Sequence, residues 1–335
     1  METKLLNASQ LDVAAHIIKN GGVVAMPTET VYGLAANALN GAAVEKIFVA
    51  KGRPADNPLI VHISEPSQLD SLVSEVPQKA RMLSDAFWPG PLTIILPRSD
   101  VIPQQVSAGL DTVAVRCPSH PIARELIRLS YPLAAPSANL SGSPSPTTVQ
   151  HVIDDMNGRI DAIIDGGDCA VGVESTVITL AGDVPRLLRP GGITHEQLEA
   201  VIGTVEVDKA VVNPLPEGAQ AASPGMKYKH YSPKADVILI NGTEQQFIDY
   251  VNSHSADGTA ALCCSEDVGA LRVPYEVLGD IDDMSEHARK LFSALRKADE
   301  RGWRTVYARC PEKSGVGLAV YNRMVRAAGF EIIEL

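Results

Sequence analysis

Cysteine is scarce in this sequence: five residues among 335 (Cys117, Cys169, Cys263, Cys264 and Cys310), an odd number with no CxxC pair. That argues against a paired-cysteine zinc module and a disulfide framework, and it points to a reducing cytoplasm. The eight histidines form no HExxH pattern, so no resident metal is expected. No uninterrupted apolar run approaches the ~18 residues of a membrane span. The opening METKLLNASQLDVAAH also lacks an apolar core followed by a small-residue cleavage site. A soluble, unexported protein without membrane association is the expectation. Positive charge is in deficit as well: 29 Lys and Arg face 40 Asp and Glu, a formal net of −11. Such a chain offers no broad footprint to nucleic acid or anionic lipid, so any polyanion it binds should be small and locally held. Familiar catalytic motifs are missing too. There is no GxSxG, and Gly167-x4-Gly172 runs on into Val173-Glu174-Ser175 rather than the Lys of a P-loop. Chemistry should therefore rest on positioning and charge stabilisation rather than on a protein nucleophile.

What is present is ample apolar material, 45% hydrophobic against 21% charged, in a chain longer than one typical domain. Ser9 can cap a helix carrying Leu11, Ala14, Ala15 and Ile18 on one face, with Gly21-Gly22 as its stop. VVAMP then reads as a buried strand. A helix over about 42–51 places Val44, Ile47 and Phe48 together, and LIVHI follows as a strand. The runs LTIIL, TVAVR, LAA, AIID and STVITL alternate with helical stretches such as PIARELIRLS and TVQHVIDDM, which predicts an α/β domain over 1–205. Some strands follow one another too closely for helical crossovers, so the sheet should be mixed. Residues 206–234, rich in Pro, Gly and Ala, read as a linker. Beyond it DVILIN, EQQFIDYVNSH, TAALCCS, MSEHARKLFSALRKADERG, RTVYARC and GLAVYNRMVRAAG alternate strand and helix, a smaller α/β domain over 235–335.

Residues 1–205 carry 14 Lys and Arg against 21 Asp and Glu, yet Lys51, Arg53, Arg116 and Arg189 all fall near the ends of predicted elements. In an open α/β sheet such ends converge on a ligand crevice; each charge alone also reads as an ordinary solvated one. KGRPADNP joins Lys51, Arg53 and Asn57 through a stiff Gly/Pro turn able to offer two cations and an amide to a polyphosphate. APSANLSGSPSP packs hydroxyls and an amide into a loop that can line a phosphate or a sugar, or can be merely flexible. Ser175 opens a strand as ligand hydroxyl or edge residue. Arg189 in RLLRPGGIT suits a phosphate or a structural ion pair, and Thr194 can cap HEQLEAVI. His62 alone reads as a half-buried strand histidine with a satisfied hydrogen bond.

In order, PTETVYGL, KGRPADNPL, PGPLTIIL, TVAVRCP, APSANLSG, VESTV and LRPGG resemble the threonylcarbamoyl-AMP synthase family, whose catalytic unit is the YrdC-like domain. The likeness covers about residues 8–200, and SPGMKYKHYSP followed by an α/β domain resembles the long two-domain form. The resemblance implies an N-terminal YrdC-like open twisted mixed sheet with helices, joined by a Pro/Gly-rich linker to a smaller Rossmann-like α/β domain. It implies a nucleotidyltransferase that uses L-threonine, bicarbonate and ATP with Mg2+ to make threonylcarbamoyl-AMP and pyrophosphate. A downstream tRNA threonylcarbamoyl-transfer complex would then modify the adenosine beside the anticodon, with at most weak RNA binding by this chain.

Carried over by motif, Thr30, His62, Arg116 and Ser175 would hold threonine. Lys51, Arg53, Asn57, Ser137, Asn139 and Arg189 would surround ATP, with Ser145 and the backbone near Thr112 and Val113 beside them. Tyr231 would close over the nucleotide from the linker, and Lys51 and Arg53 would stabilise charge during the reaction. Two other readings predict different features. An RNA-binding or ribosome-assembly YrdC-like module would need a broad basic face. A carbamoyltransferase of hydrogenase maturation would bring zinc-finger cysteine pairs.

Overall fold

The computed structural model describes residues 2–214 and 230–335. The described residues form two compact units, 2–141 with 145–214, and 142–144 with 230–335.

The first unit is built on an 11-stranded sheet among the described residues, ordered β1-β8-β2-β3-β7-β4-β6-β5-β9-β10-β11. Its strands are β1 (Lys4–Leu6), β2 (Val24–Met26), β3 (Gly33–Asn37), β4 (Ile60–His62), β5 (Leu92–Pro97) and β6 (Thr112–Arg116). The remainder are β7 (Leu133–Ala134), β8 (Ala162–Ile164), β9 (Thr176–Thr179), β10 (Arg186–Arg189) and β11 (Glu206–Val207). Parallel pairs such as β4/β6 stand beside antiparallel ones such as β5/β6, so the sheet is mixed as the spacing predicts. The helices are α1 (Leu11–Lys19), α2 (Gly41–Lys51), α3 (Gln78–Phe87), α4 (Gln104–Ser107), α5 (Pro121–Leu129), α6 (Val149–Met156) and α7 (His195–Ile202).

Strand side chains divide between two cores, as alternation across a sheet requires. Val23, Ala25, Leu34 and Ile163 join Ile47 and Leu198 in one, while Val24, Met26, Ala35 and Ile164 join Ile18 and Leu126 in the other. Helix α2 carries a site residue in its last turn. Asn40 Oδ1 accepts from the Ala43 N–H at 3.2 Å to start it, and Gly52, at φ +61°, ends it in the left-handed region that glycine enters at little cost. Val44 and Ile47 are fully buried, each contributing about 1.5–3 kcal/mol, and they hold Lys51 against the sheet.

Several expectations are corrected. Asn7, not Ser9, begins the first helical segment: its Oδ1 accepts from the Ser9 N–H at 2.9 Å over a 3-10 turn, Ala8–Gln10, and α1 starts at Leu11. GLAAN, to which the sequence pattern assigned no element, is strand β3; its alanines favour helix intrinsically, but pairing with β2 and β7 overrides that. The expected linker starts too early. Glu206–Val207 pairs with β10 and Ala210 and Val211 are buried, so the first unit continues past 205. Of the linker proper, 215–229 lies outside the described residues.

Among the described residues the second unit has a five-stranded, all-parallel sheet, ordered β14-β13-β15-β12-β16. Its elements are β12 (Asp236–Asn241), α8 (Glu244–Ser253), β13 (Thr259–Cys264), β14 (Tyr275–Gly279), α9 (Met284–Glu300), β15 (Thr305–Arg309), α10 (Gly317–Ala327) and β16 (Ile332–Glu334). The alternation read from sequence holds, with β14 and β16 added. No helix among the described residues is long and apolar enough to cross a membrane.

Candidate active site

The site of the first unit grows from the carboxyl ends of β4 and β6. These strands pair in parallel with His62 opposite Arg116, and antiparallel β5 sets Thr93 opposite Arg116 from the other side. Register alone thus collects a histidine, an arginine and a threonine on three adjacent strands. Arg116 is 3% exposed. Its Nη1 donates to Thr30 Oγ1 at 2.8 Å and its Nε to the Gly90 carbonyl at 3.3 Å. Thr30 is set by the PTET turn: Thr28 Oγ1 lies 2.9 Å from Thr30 Oγ1 and donates to the Val31 carbonyl at 2.6 Å. A buried guanidinium needs a counter-charge. Glu29 supplies it, with Oε1 2.6 Å from Arg116 Nη2 in an ion contact that lacks hydrogen-bond alignment.

His62 is buried, and burial first, then the Arg116 charge, push its pKa down to about 3. The ring is therefore neutral, and Nδ1, 3.2 Å from the Ile60 carbonyl, is the natural N–H, leaving Nε2 as an acceptor.

On the same side of β5, Ser175 Oγ shares a 2.7 Å hydrogen bond with Thr93 Oγ1. Arg189 Nη2 donates to Ser175 Oγ at 3.1 Å and Nε to the Ser175 carbonyl at 3.0 Å. The approach of LRPGG to VEST is close enough to demand glycine: a Cβ on Gly191 would lie 2.3 Å from the Thr176 nitrogen. Ser145 Oγ donates to Glu174 Oε1, tying the serine-rich loop to the residue before Ser175.

The Lys51 cluster adjoins this set. Lys51 is 3% exposed, and Nζ donates to the carbonyls of Ser137 (2.5 Å) and Asn139 (2.6 Å), with Asn139 Oδ1 at 3.4 Å. The loop lies along the PTETVYGL segment through Leu34 N to Pro136 O (2.7 Å) and Ala138 N to Tyr32 O (2.8 Å). One ammonium therefore shapes the SAN loop and places positive charge beneath it.

Arg53 Nη2 donates to the carbonyls of Pro58 (3.2 Å) and Asn57 (3.5 Å), and Asn57 is 1% exposed with neither amide atom hydrogen-bonded. Thr112 opens β6, about 13 Å from Arg116 at strand rise, in a cleft shared with Pro58 and Val106. Tyr231 belongs to the second unit, where it takes φ +64° and its ring lies 5.3 Å from Phe292 and 5.9 Å from the Arg323 guanidinium. The described residues contain no group of three or more His, Cys, Asp or Glu arranged for a metal ion. Sequence reasoning overlooked Glu29, Thr93 and Glu174. For Glu29 and Glu174 the available signal was their place as acidic residues inside the two motifs, PTET and VEST, that already supplied Thr30 and Ser175.

A site with a buried arginine fork, hydroxyls, a neutral imidazole and a lysine-shaped loop can receive a small carboxylate beside a phosphate chain. Two family models match the chain. The Sua5/YciO/YrdC model, described as telomere recombination, matches residues 16–191, and the threonylcarbamoyl-AMP synthase C-terminal domain matches 193–329. The chain is 48% identical to a threonylcarbamoyl-AMP synthase of Pyrococcus abyssi over 332 residues, 97% of this chain and 96% of that one. It is 47% identical to that of Bacillus subtilis over 333 residues, 98% and 95% of the two chains. The crystal structure of P. abyssi Sua5 complexed with L-threonine superposes with a TM-score of 0.92 at 45% identity, covering 99% of this chain and 100% of that chain. With both models and near full-length relatives in agreement, the chain belongs to the threonylcarbamoyl-AMP synthase family.

Proposed function

We propose that this protein condenses L-threonine, bicarbonate and ATP into threonylcarbamoyl-AMP and pyrophosphate, a nucleotidyl transfer carried out in the cytoplasm. A tRNA-modifying complex would then consume the product. The observation that carries this reading is the adjacency, in one unit, of the Arg116–Thr30–His62 group and the Lys51-held SAN loop: β7, which leads into that loop, pairs with β4 and sets Leu133 opposite His62.

In this mechanism Arg116 takes the threonine carboxylate, and Thr30, Ser175 and neutral His62 orient the remaining polar groups. The threonine amine captures bicarbonate as a carbamate, and a carbamate oxygen attacks the α-phosphorus of ATP, expelling pyrophosphate. The chain contributes alignment of two reactants and a preset positive field. Lys51 and Arg53 stabilise charge gathering on the α-phosphoryl oxygens and leaving group. Ser137, Asn139, Ser145, Arg189 and Asn57 hold the nucleotide, with the backbone near Thr112 and Val113 beside them. Mg2+, arriving bound to ATP as part of the substrate, would offset phosphate charge. The −11 net charge is compatible with a role in tRNA modification because this step needs only a mononucleotide and small molecules.

The test is direct. Purified protein with ATP, Mg2+, bicarbonate and labelled threonine should release pyrophosphate only when threonine is present, and should form a threonine–AMP adduct carrying one extra carbonyl. Threonine-independent pyrophosphate release, or none, would overturn the reading.

A further inference from the structure

The threonine amine reaches the site protonated, and an ammonium has no lone pair with which to attack carbon. Some group must take a proton, and the threonine reading assigns none. Glu29 is 8% exposed, and neither carboxylate oxygen has an aligned hydrogen-bond donor among the described residues. Its neighbour Arg116 Nη2 is likewise without an aligned partner, while Nη1 and Nε are committed to Thr30 and Gly90. A buried fork and a buried carboxylate therefore face each other at 2.6 Å. These are the two complementary halves of a receptor for an α-amino acid zwitterion.

Resting on the threonine reading, we propose that Glu29 pairs with the substrate α-ammonium when the substrate α-carboxylate takes over Arg116, and that Glu29 then accepts the proton that frees the amine. The step balances. One ammonium proton passes to a Glu29 oxygen, and the nitrogen lone pair forms the N–C bond to bicarbonate. Hydroxide then leaves that carbon with a second nitrogen proton as water, and an N-carboxylate remains.

The surroundings support the assignment. Burial raises the Glu29 carboxyl pKa, and the Arg116 charge, with smaller pulls from nearby but unaligned N–H groups of the Arg116 side chain and the Glu29 and Ser119 backbone, takes it below the usual carboxylate range. A substrate carboxylate on Arg116 would neutralise that pull and let burial strengthen Glu29 as a base. The other titratable groups nearby suit the task less well. Burial pushes His62 on β4 down to about 3 and lowers His120 ahead of α5, while it pushes the thiols of Cys117 after β6 and Cys169 up to about 11 and about 12.

The experiment compares wild type with Glu29→Gln, which keeps size and polarity but accepts no proton. Threonine affinity is measured by calorimetry without ATP, and threonine-dependent pyrophosphate release is followed across pH. The variant should still bind threonine, but kcat near pH 7 should fall by about 10²–10⁴-fold, the usual worth of a general base. Its residual rate should climb with pH as the free amine becomes available. A kcat within about threefold of wild type, or a KM increase with an unshifted pH profile, overturns the proposal. If wild type itself shows no threonine-dependent turnover, the threonine reading fails instead.

Should Glu29→Gln not fold, wild type alone decides. Threonine should bind at least about tenfold more tightly than 2,3-dihydroxybutyrate, which lacks the ammonium, as expected for a charge-assisted hydrogen bond. Equal affinities would sink the idea.

Discussion

At the scale of single residues, the site's charges were legible in the sequence but their partners were not. Arg116 and Lys51 are named by motif; that one is braced by Glu29 and the other by loop carbonyls depends on contacts 86 to 88 residues apart in sequence for Thr30, Ser137 and Asn139. Spacing along the chain cannot give such contacts. Arg116→Lys keeps the charge and loses the fork, so threonine KM should rise by about 10–100-fold, as for one charged hydrogen bond, with kcat falling less. An unchanged KM in steady-state kinetics would remove Arg116 from the threonine side. His62 carries a pH signature. Its folded pKa of about 3 lies below the unfolded value near 6.5, so below pH 6.5 the unfolded chain takes up a proton that the folded one refuses. Stability should be complete above about pH 6.5 and decline as pH falls towards 3, by up to about 1.4 kcal/mol per unit from this group. Denaturant melts at pH 7 and pH 5 should show that decline, and His62→Gln should reduce the difference between them.

At the scale of elements, strongly periodic or β-branched segments were readable: α2, α5, α7, β5 and β6 sit where their patterns place them. The misses share a cause. β3 is alanine-rich and becomes a strand only by pairing on both edges, and the 206–207 strand has two residues, too few to carry a period. The RPGG turn could be recognised as a turn, but not as the contact that delivers Arg189. Gly191→Ala would force its Cβ into the Thr176 backbone, which can yield only by shifting the turn. Overpacking of this kind costs about 1–3 kcal/mol. The same shift pulls Arg189 from Ser175, so activity should drop further than the melting temperature alone accounts for. An active, fully stable Gly191→Ala protein would refute this account of the turn.

At the scale of the whole molecule, the two α/β units were legible as a change in composition, but the edge of the first was not. Composition turns Pro- and Gly-rich after 205, whereas the sheet closes later. Glu206 and Asp208 donate backbone bonds to Pro185 and Leu187, both at 2.9 Å, and Ala210 joins Leu188, Val177, Ile95, Ala114 and Ile60 in a small apolar cluster. Val211 beside it is fully buried. A chain cut after 205 would expose that cluster and lose about 2–3 kcal/mol of apolar burial. For a unit of this size that amounts to a melting temperature lower by about 5–10 °C. A chain cut after 214 keeps every one of these contacts. Calorimetric melts of the two truncations should therefore differ by that margin, with the longer one the more stable; equal melting temperatures would mean that β11 and the turn after it add nothing to the unit that carries the site.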